Sequence, residues 1–275
     1  MNVLRALIYD DQVSLTIIDT TKLVKDGLAR HGLKGESADV FARTLSFLTY
    51  VSSCLKEETG EVSIALQTDG KLSTLSASGN TALAMRGYLA WDTEKTETIG
   101  DGALTIVRDD GYSRPFVGSC ALVKGALDES FEEYYRISEQ LPTEITTCFF
   151  ENERGGVAFC GVIALQPLPF ASQTTLEKLP DEKQRLATLK EVAKDGLFTV
   201  ANRAFGVKEE DCHYKNAEYR CNCSREYLKG VLVSVGEKEL RQIVKEDGAI
   251  HAHCHYCNTD YAFDEKDVDE MFQKE

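Results

Sequence analysis

Two closely spaced cysteine pairs near the C-terminus constrain the fold of this chain more than any other feature. Cys221 and Cys223 are separated by one residue, and Cys254 and Cys257 by two. If the connector between the pairs folds, it brings together four soft sulfur ligands, which suit tetrahedral Zn²⁺. The spacing therefore predicts one zinc ion per chain. Neighbouring thiols can also form disulfides once a metal leaves, so the site could regulate the protein by oxidation as well as stabilise its fold.

Three histidines beside the second pair offer an alternative ligand. His251, His253 and His255 alternate along the chain. On a strand their side chains would share one face, and Cys254 would point to the other. One histidine could then replace a cysteine at the metal. Because four thiolates already complete a closed tetrahedral shell, we favour exposed histidines on a hairpin.

The other five cysteines show no comparable pattern. Cys120, Cys148 and Cys160 lie in apolar, strand-like stretches, and Cys54 follows a helical pattern. These four are predicted to be small buried hydrophobic side chains. Cys212 follows three acidic residues, and nearby negative charge makes a thiol less reactive. We therefore predict no redox role for Cys212.

Composition and charge narrow the class of protein. Of the 275 residues, 43% are apolar, which is ordinary for a packed core, and the formal net charge is −14. Duplex binding requires basic patches, so nucleic acid is not an expected partner. No apolar run is long enough to cross a bilayer, so no membrane association is expected, and residues 1–5 do not open a signal peptide. The expected location is the cytoplasm, where cysteines normally stay reduced.

Residues 1–170 are predicted to form an α+β core domain that binds clients. Apolar residues at helical spacing predict a long helix over Glu36–Lys56, and Asp128 is predicted to cap a second helix that ends at Leu141. Thr143–Phe150 and Val157–Gln166 are typical of a hairpin. Further strands are predicted over Val13–Ile18, Val62–Gln67, Leu72–Ser76, Gly87–Trp91, Leu104–Arg108 and Pro115–Leu122. Helices and strands do not alternate regularly, which favours α+β over a doubly wound sheet.

A helical linker is predicted over residues 171–218, after a boundary marked by Pro167 and Pro169. The segment is densely charged but nearly neutral, and its apolar residues still recur at helical spacing. This pattern indicates a helix with a face to bury rather than a disordered tether. An ordinary surface helix and a detachable lid fit it equally well. The apolar positions are Leu186, Leu189, Val192, Ala193 and Leu197.

Residues 219–275 are predicted to form a small C-terminal zinc module. Ser224 is placed to cap a helix that runs through Val233, and Asp264 to cap the last helix. The elements between them are a second helix over Glu237–Glu246, a strand over Ala249–His253 and a partner strand over Tyr261–Phe263. The two strands would hold the Cys254–Cys257 pair in the turn between them.

Motifs that carry enzymatic chemistry are missing from the sequence. There is no Walker A loop for ATP, and no G-x-S-x-G or H-E-x-x-H pattern. The segment Gly100-Asp101-Gly102 lacks the third glycine of a dinucleotide fingerprint, so it is predicted to be a turn. A thioredoxin-like role for the Cys254–Cys257 pair is disfavoured, because that chemistry needs a helix N-terminus. The chain is therefore not expected to be an enzyme.

Six short segments, spread over most of the chain, add a further indication. Three lie around the cysteine pairs: Tyr219–Glu226, Glu246–Ile250 and Cys254–Asn258. Three lie upstream: Met85–Gly87, Gly100–Ile106 and Ser138–Thr143. Together, and in this order, they closely resemble the heat-shock protein 33 family.

This resemblance implies an ATP-independent, redox-regulated stress-response chaperone that holds unfolded client proteins. It implies that the reduced protein carries zinc on Cys221, Cys223, Cys254 and Cys257 and is inactive. Oxidation would release the metal and form the disulfides Cys221–Cys223 and Cys254–Cys257. The preceding linker would then loosen, and the active protein would form a homodimer.

The residues themselves support the same sequence of events. Zinc contributes folding free energy to a small module, so oxidation of its ligands should unfold that module. The linker could then lose a docking partner and expose the apolar face carried by Leu186, Leu189, Val192 and Leu197. Exposed apolar patches bind unfolded chains, and a net charge of −14 would help to keep that state soluble.

Two other classes of protein stay open at this point. A thiol-disulfide oxidoreductase would turn over substrate disulfides without needing zinc. A constitutive interaction protein stapled by zinc would keep its metal in the presence of peroxide. Zinc content and chaperone activity, measured before and after oxidation, distinguish the three.

Overall fold

The computed structural model describes residues 1–56 and 59–273 of the chain. The described chain forms two compact units, Met1–Arg220 and Cys221–Glu275. The C-terminal module was predicted to begin at Tyr219. Tyr219 is instead buried in the first unit, where it pairs with Met85 on a neighbouring strand. The division between the units therefore falls two residues later, immediately before the first cysteine of the cluster.

The strands and helices have the following bounds. The strands are β1 (Val3–Ile8), β2 (Val13–Asp19), β3 (Glu61–Thr68), β4 (Leu72–Asn80), β5 (Ala84–Trp91), β6 (Gly102–Asp109), β7 (Phe116–Ala121), β8 (Glu144–Glu151), β9 (Val157–Pro167), β10 (His213–Lys215), β11 (Glu218–Tyr219), β12 (Ile250–Cys254) and β13 (Thr259–Phe263). The α-helices are α1 (Thr21–His31), α2 (Gly35–Ser53), α3 (Leu127–Tyr134), α4 (Gln173–Leu176), α5 (Glu182–Asp195), α6 (Leu197–Phe205), α7 (Arg225–Val233), α8 (Glu237–Asp247) and α9 (Glu265–Phe272).

The first unit contains two sheets that pack against one central helix. One sheet has the strand order β10-β1-β2-β9-β8, and the other β11-β5-β4-β3-β6-β7. Helix α2 packs against strands of both sheets and is buried over most of its length. Two of its buried hydroxyl groups bond to the helix's own carbonyls, because Ser46 donates to Ala42 and Thr49 to Leu45. The predicted α+β class is confirmed.

Helices α5 and α6 cover the other face of the first sheet. In β2, the alternating residues Val13, Leu15 and Ile17 are all fully buried on this face, as the two-residue period of a strand requires. They share one apolar cluster with Leu189 and Val192 of α5. The helices predicted as a linker therefore pack on the first unit as an outer layer.

Most predicted elements of the first unit are present, with one clear error. The long helix and the hairpin of β8 and β9 are confirmed. Asp128 does not cap the next helix, because the N-cap is Ala126 and no side chain bonds there. The buried Asp128 carboxylate instead pairs with Arg43 at 3.0 Å and accepts a bond from the Thr147 amide. The predicted continuation towards Leu141 is a π-helical turn over Tyr135–Glu139.

In residues 221–273, the second unit contains the β12–β13 hairpin, against which α8 and α9 pack, and α7, which packs on α9. Ser224 and Asp264 cap α7 and α9 as predicted, each accepting a hydrogen bond from a backbone amide three residues later. Its apolar core consists of Leu240, Ile250, Phe263 and Val268. Across residues 1–56 and 59–273, no helix is both long enough and apolar enough to cross a membrane.

Candidate metal centre and linker contacts

The four cysteines of the two pairs meet in the second unit. Cys221 and Cys223 lie in the irregular segment before α7, whereas Cys254 ends β12 and Cys257 lies in the turn that follows. This turn folds tightly, because the amides of Cys257 and Asn258 both donate to the Cys254 carbonyl, at 3.3 and 2.8 Å. Asn258 adopts a left-handed conformation (φ 54°), which asparagine tolerates better than most residues. The turn thereby directs both thiols of the second pair to one side.

The four sulfur atoms lie close enough together to share one metal ion. All four Sγ atoms lie within 4.8 Å of one another. The distances are 3.7 Å from Cys221 to Cys254 and 3.1 Å from Cys223 to Cys257. A zinc ion with Zn–S bonds of about 2.3 Å would place its ligands about 3.8 Å apart. The donor set and its dimensions therefore fit zinc, and a modest expansion would accommodate it.

Two of the thiols lie within hydrogen-bonding distance of a neighbouring hydroxyl group. The Tyr261 hydroxyl lies 3.3 Å from Cys223 Sγ, and the Thr259 hydroxyl 3.3 Å from Cys257 Sγ. Burial raises the pKa of the Cys221 and Cys223 thiols. A bound cation would favour the thiolate form of the same groups, so metal binding at this site should release protons.

The three histidines do not join this cluster. His251, His253 and His255 are exposed, and His253 Nδ1 lies 2.7 Å from the Asp260 carboxylate. Within residues 1–56 and 59–273, the one group of three or more cysteine, histidine or acidic side chains close enough to share a metal is the four-cysteine cluster. The favoured arrangement, with exposed histidines and four thiol ligands, agrees with this geometry.

The remaining cysteines lie outside the cluster. Cys120, Cys148 and Cys160 are buried, as predicted, and burial raises the pKa of Cys120 and of Cys160 to about 11. Cys54 is only partly buried, because it lies at the C-terminal end of α2. Partial burial, followed by the charges of Asp211 and Glu209, raises the pKa of Cys212. Because their pKa values are raised, the thiols of Cys120, Cys160 and Cys212 are poor nucleophiles.

The linker residues have the burial that a docked helix requires. Leu189 is 0% and Val192 4% exposed, and Leu186 and Leu197 pack against the same cluster while partly buried. Ala193, which was predicted to belong to this face, is exposed. It follows Val192 directly, so the helical turn carries it away from the sheet.

A buried arginine in α5 was missed by the sequence analysis. Arg185 is only 4% exposed. Its Nε donates to Thr146 Oγ1 at 2.8 Å, Nη1 to Glu144 at 2.7 Å and Nη2 to Glu132 at 3.2 Å. Arg185 lies one turn before Leu189, on the buried face of the helix. This four-residue spacing was the one feature of the sequence from which its burial could have been predicted.

Glu132 is the more buried of the two carboxylate partners of this arginine. It also accepts a hydrogen bond from the Ile145 amide at 2.8 Å. Burial raises its pKa to about 7, although the Ile145 amide and Arg185 act in the opposite direction. Glu144, in contrast, is about half exposed. Arg185 therefore joins α5 to two acidic groups with different access to water.

The fold and the cysteine cluster define an α+β protein with a separate four-cysteine module, and comparisons identify its family. The sequence profile of the Hsp33 protein family matches residues 2–264. The chain is 27% identical to the 33 kDa chaperonin of Bacillus cereus strain B4264 over 285 aligned positions, covering 98% of this chain and 97% of the relative. It is 26% identical to the 33 kDa chaperonin of Bacillus anthracis over the same shares of both chains.

A solved structure has the same architecture over nearly its whole length. The crystal structure of the 33 kDa chaperonin from Thermotoga maritima, a heat shock protein 33 homologue, superimposes with a TM-score of 0.81 at 26% identity. The match covers 98% of this chain and 96% of that one. The chain therefore belongs to the Hsp33 family.

Proposed function

We propose that this protein is an ATP-independent holdase chaperone that is switched on by oxidation of its four clustered cysteines. The observation that carries the proposal is the convergence of Cys221, Cys223, Cys254 and Cys257 within one small unit. The names of the relatives as chaperonins support a chaperone function, and the close approach of the thiols supports control by oxidation.

The second unit is built so that its ligands matter for its stability. Among its described residues, the apolar core has four buried side chains, and the other apolar residues that pack against them are only partly buried. So small a core supplies little stability by itself, and a structural zinc ion adds folding free energy directly. In the reduced state, the four cysteines would hold one zinc ion. Loss of these ligands should therefore unfold the unit.

Oxidation would remove the ligands two at a time. Each disulfide forms when two thiols lose two electrons and two protons, and a hydroperoxide can accept them with release of water and an alcohol. The proposed pairs are Cys221 with Cys223 and Cys254 with Cys257. Disulfide sulfur is a much poorer zinc ligand than thiolate, so each bond formed would weaken metal binding.

The linker helices would transmit the change to a client-binding surface. The chain passes from α5 and α6 through β10 and β11, and Cys221 follows two residues after the end of β11. If the linker leaves the first sheet, the face that carries Leu15, Ile17 and Ile163 loses its cover. A large apolar face of this kind binds unfolded chains. We propose that Leu186, Leu189, Val192 and Leu197 act as the lid.

The remaining parts of the proposal concern partners and location. Unfolded proteins would be the clients, and the oxidised protein would form a homodimer. The net charge of −14 disfavours nucleic acid as a partner and would keep the active state soluble. A reduced four-thiol site requires a reducing compartment, which supports a cytoplasmic location.

One experiment tests this function against its two rivals. Zinc content and the suppression of aggregation of a chemically unfolded client are measured for the reduced and the peroxide-treated protein. A redox-switched holdase loses zinc and gains suppression. A constitutive zinc-stapled protein would keep its metal, and an oxidoreductase would turn over a disulfide substrate without zinc.

A further inference from the structure

The surface beneath α5 combines apolar side chains with two carboxylates. Leu189 and Val192 of the helix pack on the apolar face of the first sheet. One turn earlier, Arg185 enters a pocket formed by Glu132 and Glu144, from two different elements of the first unit. We call this surface the α5 seat. This surface contacts the aliphatic side chains of Leu189 and Val192 and also pairs with the guanidinium group of Arg185.

The arginine fits the acidic end of the seat closely. Its guanidinium donates to Thr146 Oγ1 as well as to both carboxylates, so three nitrogen atoms each have an acceptor. A planar fork of this kind satisfies several acceptors in fixed directions, which a single ammonium group does not. A buried charge without such partners would be strongly unfavourable. The seat therefore selects a cation, and arginine above lysine.

The acceptors belong to the part of the first unit that the linker would leave behind. Glu132 lies on α3, and Glu144 and Thr146 lie on β8. A cavity of about 550 Å³ opens beside them, between both glutamates of the first unit and the linker residues Leu176 and Leu179. Departure of α5 would leave two carboxylates at the edge of an apolar face, ready to accept a new cation.

We propose that the α5 seat binds client segments in which an arginine lies one helical turn from aliphatic residues, and that α5 is the seat's internal occupant in the resting protein. This inference rests on the proposed function, because the seat is available only after the linker leaves. It adds a chemical preference to a surface that would otherwise be only apolar. The protein would then favour basic, aliphatic stretches of unfolded chains over acidic ones.

The test uses peptides, so that the central substitution is made outside the protein. A fluorescent peptide with the sequence of residues 181–195 is titrated with the oxidised full-length chain, alongside the same peptide carrying Arg185→Lys or Arg185→Gln. Binding is measured by anisotropy near pH 8, above the Glu132 pKa of about 7. We expect the arginine peptide to bind about tenfold more tightly than the glutamine peptide, as one charged hydrogen-bonded pair provides, with lysine between them.

Substitutions in the protein locate the preference. In the Glu132→Gln/Glu144→Gln chain, the arginine-to-glutamine ratio should fall to nearly one. The matched control is Glu133→Gln/Glu153→Gln, which removes the same charge. Glu133 pairs with Arg136 and not with α5, and Glu153 lies exposed in the β8–β9 turn. The control should keep the full ratio.

The outcomes separate this inference from the proposed function. A ratio near one in the unsubstituted protein, or a ratio unchanged by Glu132→Gln/Glu144→Gln, overturns the seat. If aggregation suppression by the oxidised protein persists in that case, the holdase proposal survives. The Leu189→Ser/Val192→Ser chain allows the same peptide titration without oxidation, because its own α5 should dock weakly even in the reduced protein. The arginine preference should appear there without oxidation, and its absence would also contradict the inference.

Discussion

The Sγ atoms of Cys223 and Cys257 lie 3.1 Å apart, although 34 positions separate the two residues in sequence. Two helices and a strand lie between them, so the contact exists only while the second unit is folded. The cluster is therefore a direct reporter of that fold. Any chemistry that changes the thiols also changes the stability of the unit that holds them.

The metal assignment predicts the effect of losing one ligand. Cys254→Ser should reduce zinc occupancy well below one per chain, because a hydroxyl is a weak ligand for zinc beside three thiolates. The second unit should then lose its protection from hydrogen exchange, since its own core is small. Metal analysis of the purified variant measures the first effect. The control, Cys212→Ser, should keep its zinc, and full occupancy in Cys254→Ser at unchanged affinity would refute the assignment.

Unfolding of the second unit during oxidation predicts that disulfides form within each cysteine pair. Although the Cys223 and Cys257 sulfur atoms lie 3.1 Å apart in the folded unit, the unit should unfold as its ligands are oxidised. In an unfolded chain, the entropy of loop closure favours cysteines that are near in sequence. Peptide mapping after peroxide treatment should find Cys221 linked to Cys223 and Cys254 linked to Cys257. A dominant bridge from Cys223 to Cys257 would mean that oxidation proceeds within the folded cluster.

The linker proposal predicts an active chain without oxidation. Leu189→Ser/Val192→Ser removes two fully packed side chains, each contributing about 1.5–3 kcal/mol to docking. Ordering each linker residue costs about 1–2 kcal/mol, so this loss should release the segment. Hydrogen exchange should show residues 171–218 opening while α2 stays protected, with aggregation suppression in reducing buffer that contains zinc.

Exposed positions on the same helix provide the control for that experiment. Ala193→Ser changes an exposed residue of α5 and should leave the segment protected and the chain inactive. If Leu189→Ser/Val192→Ser also stays inactive with residues 171–218 protected, these helices are not the lid. Zinc release would then have to act on the client surface by another route.

The raised pKa of Glu132 predicts that linker docking depends on pH. Burial raises this pKa from 4.5 to about 7, so the docked state holds the proton more tightly than a solvated glutamate does. The groups that face it are Arg185 from α5, Glu144 from β8 and Asp128 from its own helix. The contribution of Glu132 to docking should therefore weaken as the pH rises from about 4.5 to about 7 and level off above that.

This dependence is measured by hydrogen exchange of α5 between pH 5 and pH 8, corrected for the intrinsic exchange rate. Glu132→Gln keeps the shape of the side chain and removes its titration, so the slope should disappear. Glu133→Gln, whose carboxylate pairs with Arg136 and not with α5, should keep it. A slope of the opposite sign in the unsubstituted chain would show that the ion pair with Arg185 outweighs the cost of burying the carboxylate.

The features that could be predicted from sequence are those determined by nearby residues. The cysteine pairs, the caps at Ser224 and Asp264 and the alternation along β2 each depend on a few consecutive positions. Arg185 could not be assigned, because its acidic partners lie 41 and 53 positions away. Asp128 was assigned to a cap by local pattern, but distant Arg43 and Thr147 take its carboxylate. In both cases the role of the side chain is decided by tertiary contacts that the neighbouring sequence does not reveal.

The most direct test of the whole account is a paired measurement on one sample, in which zinc release and aggregation suppression are followed together during peroxide treatment. The account predicts that one zinc per chain leaves, that suppression rises with the fraction of zinc released, and that a thiol reductant with added zinc reverses both. Suppression that is already complete in the reduced, zinc-bound protein would contradict it. So would complete zinc release that produces no suppression.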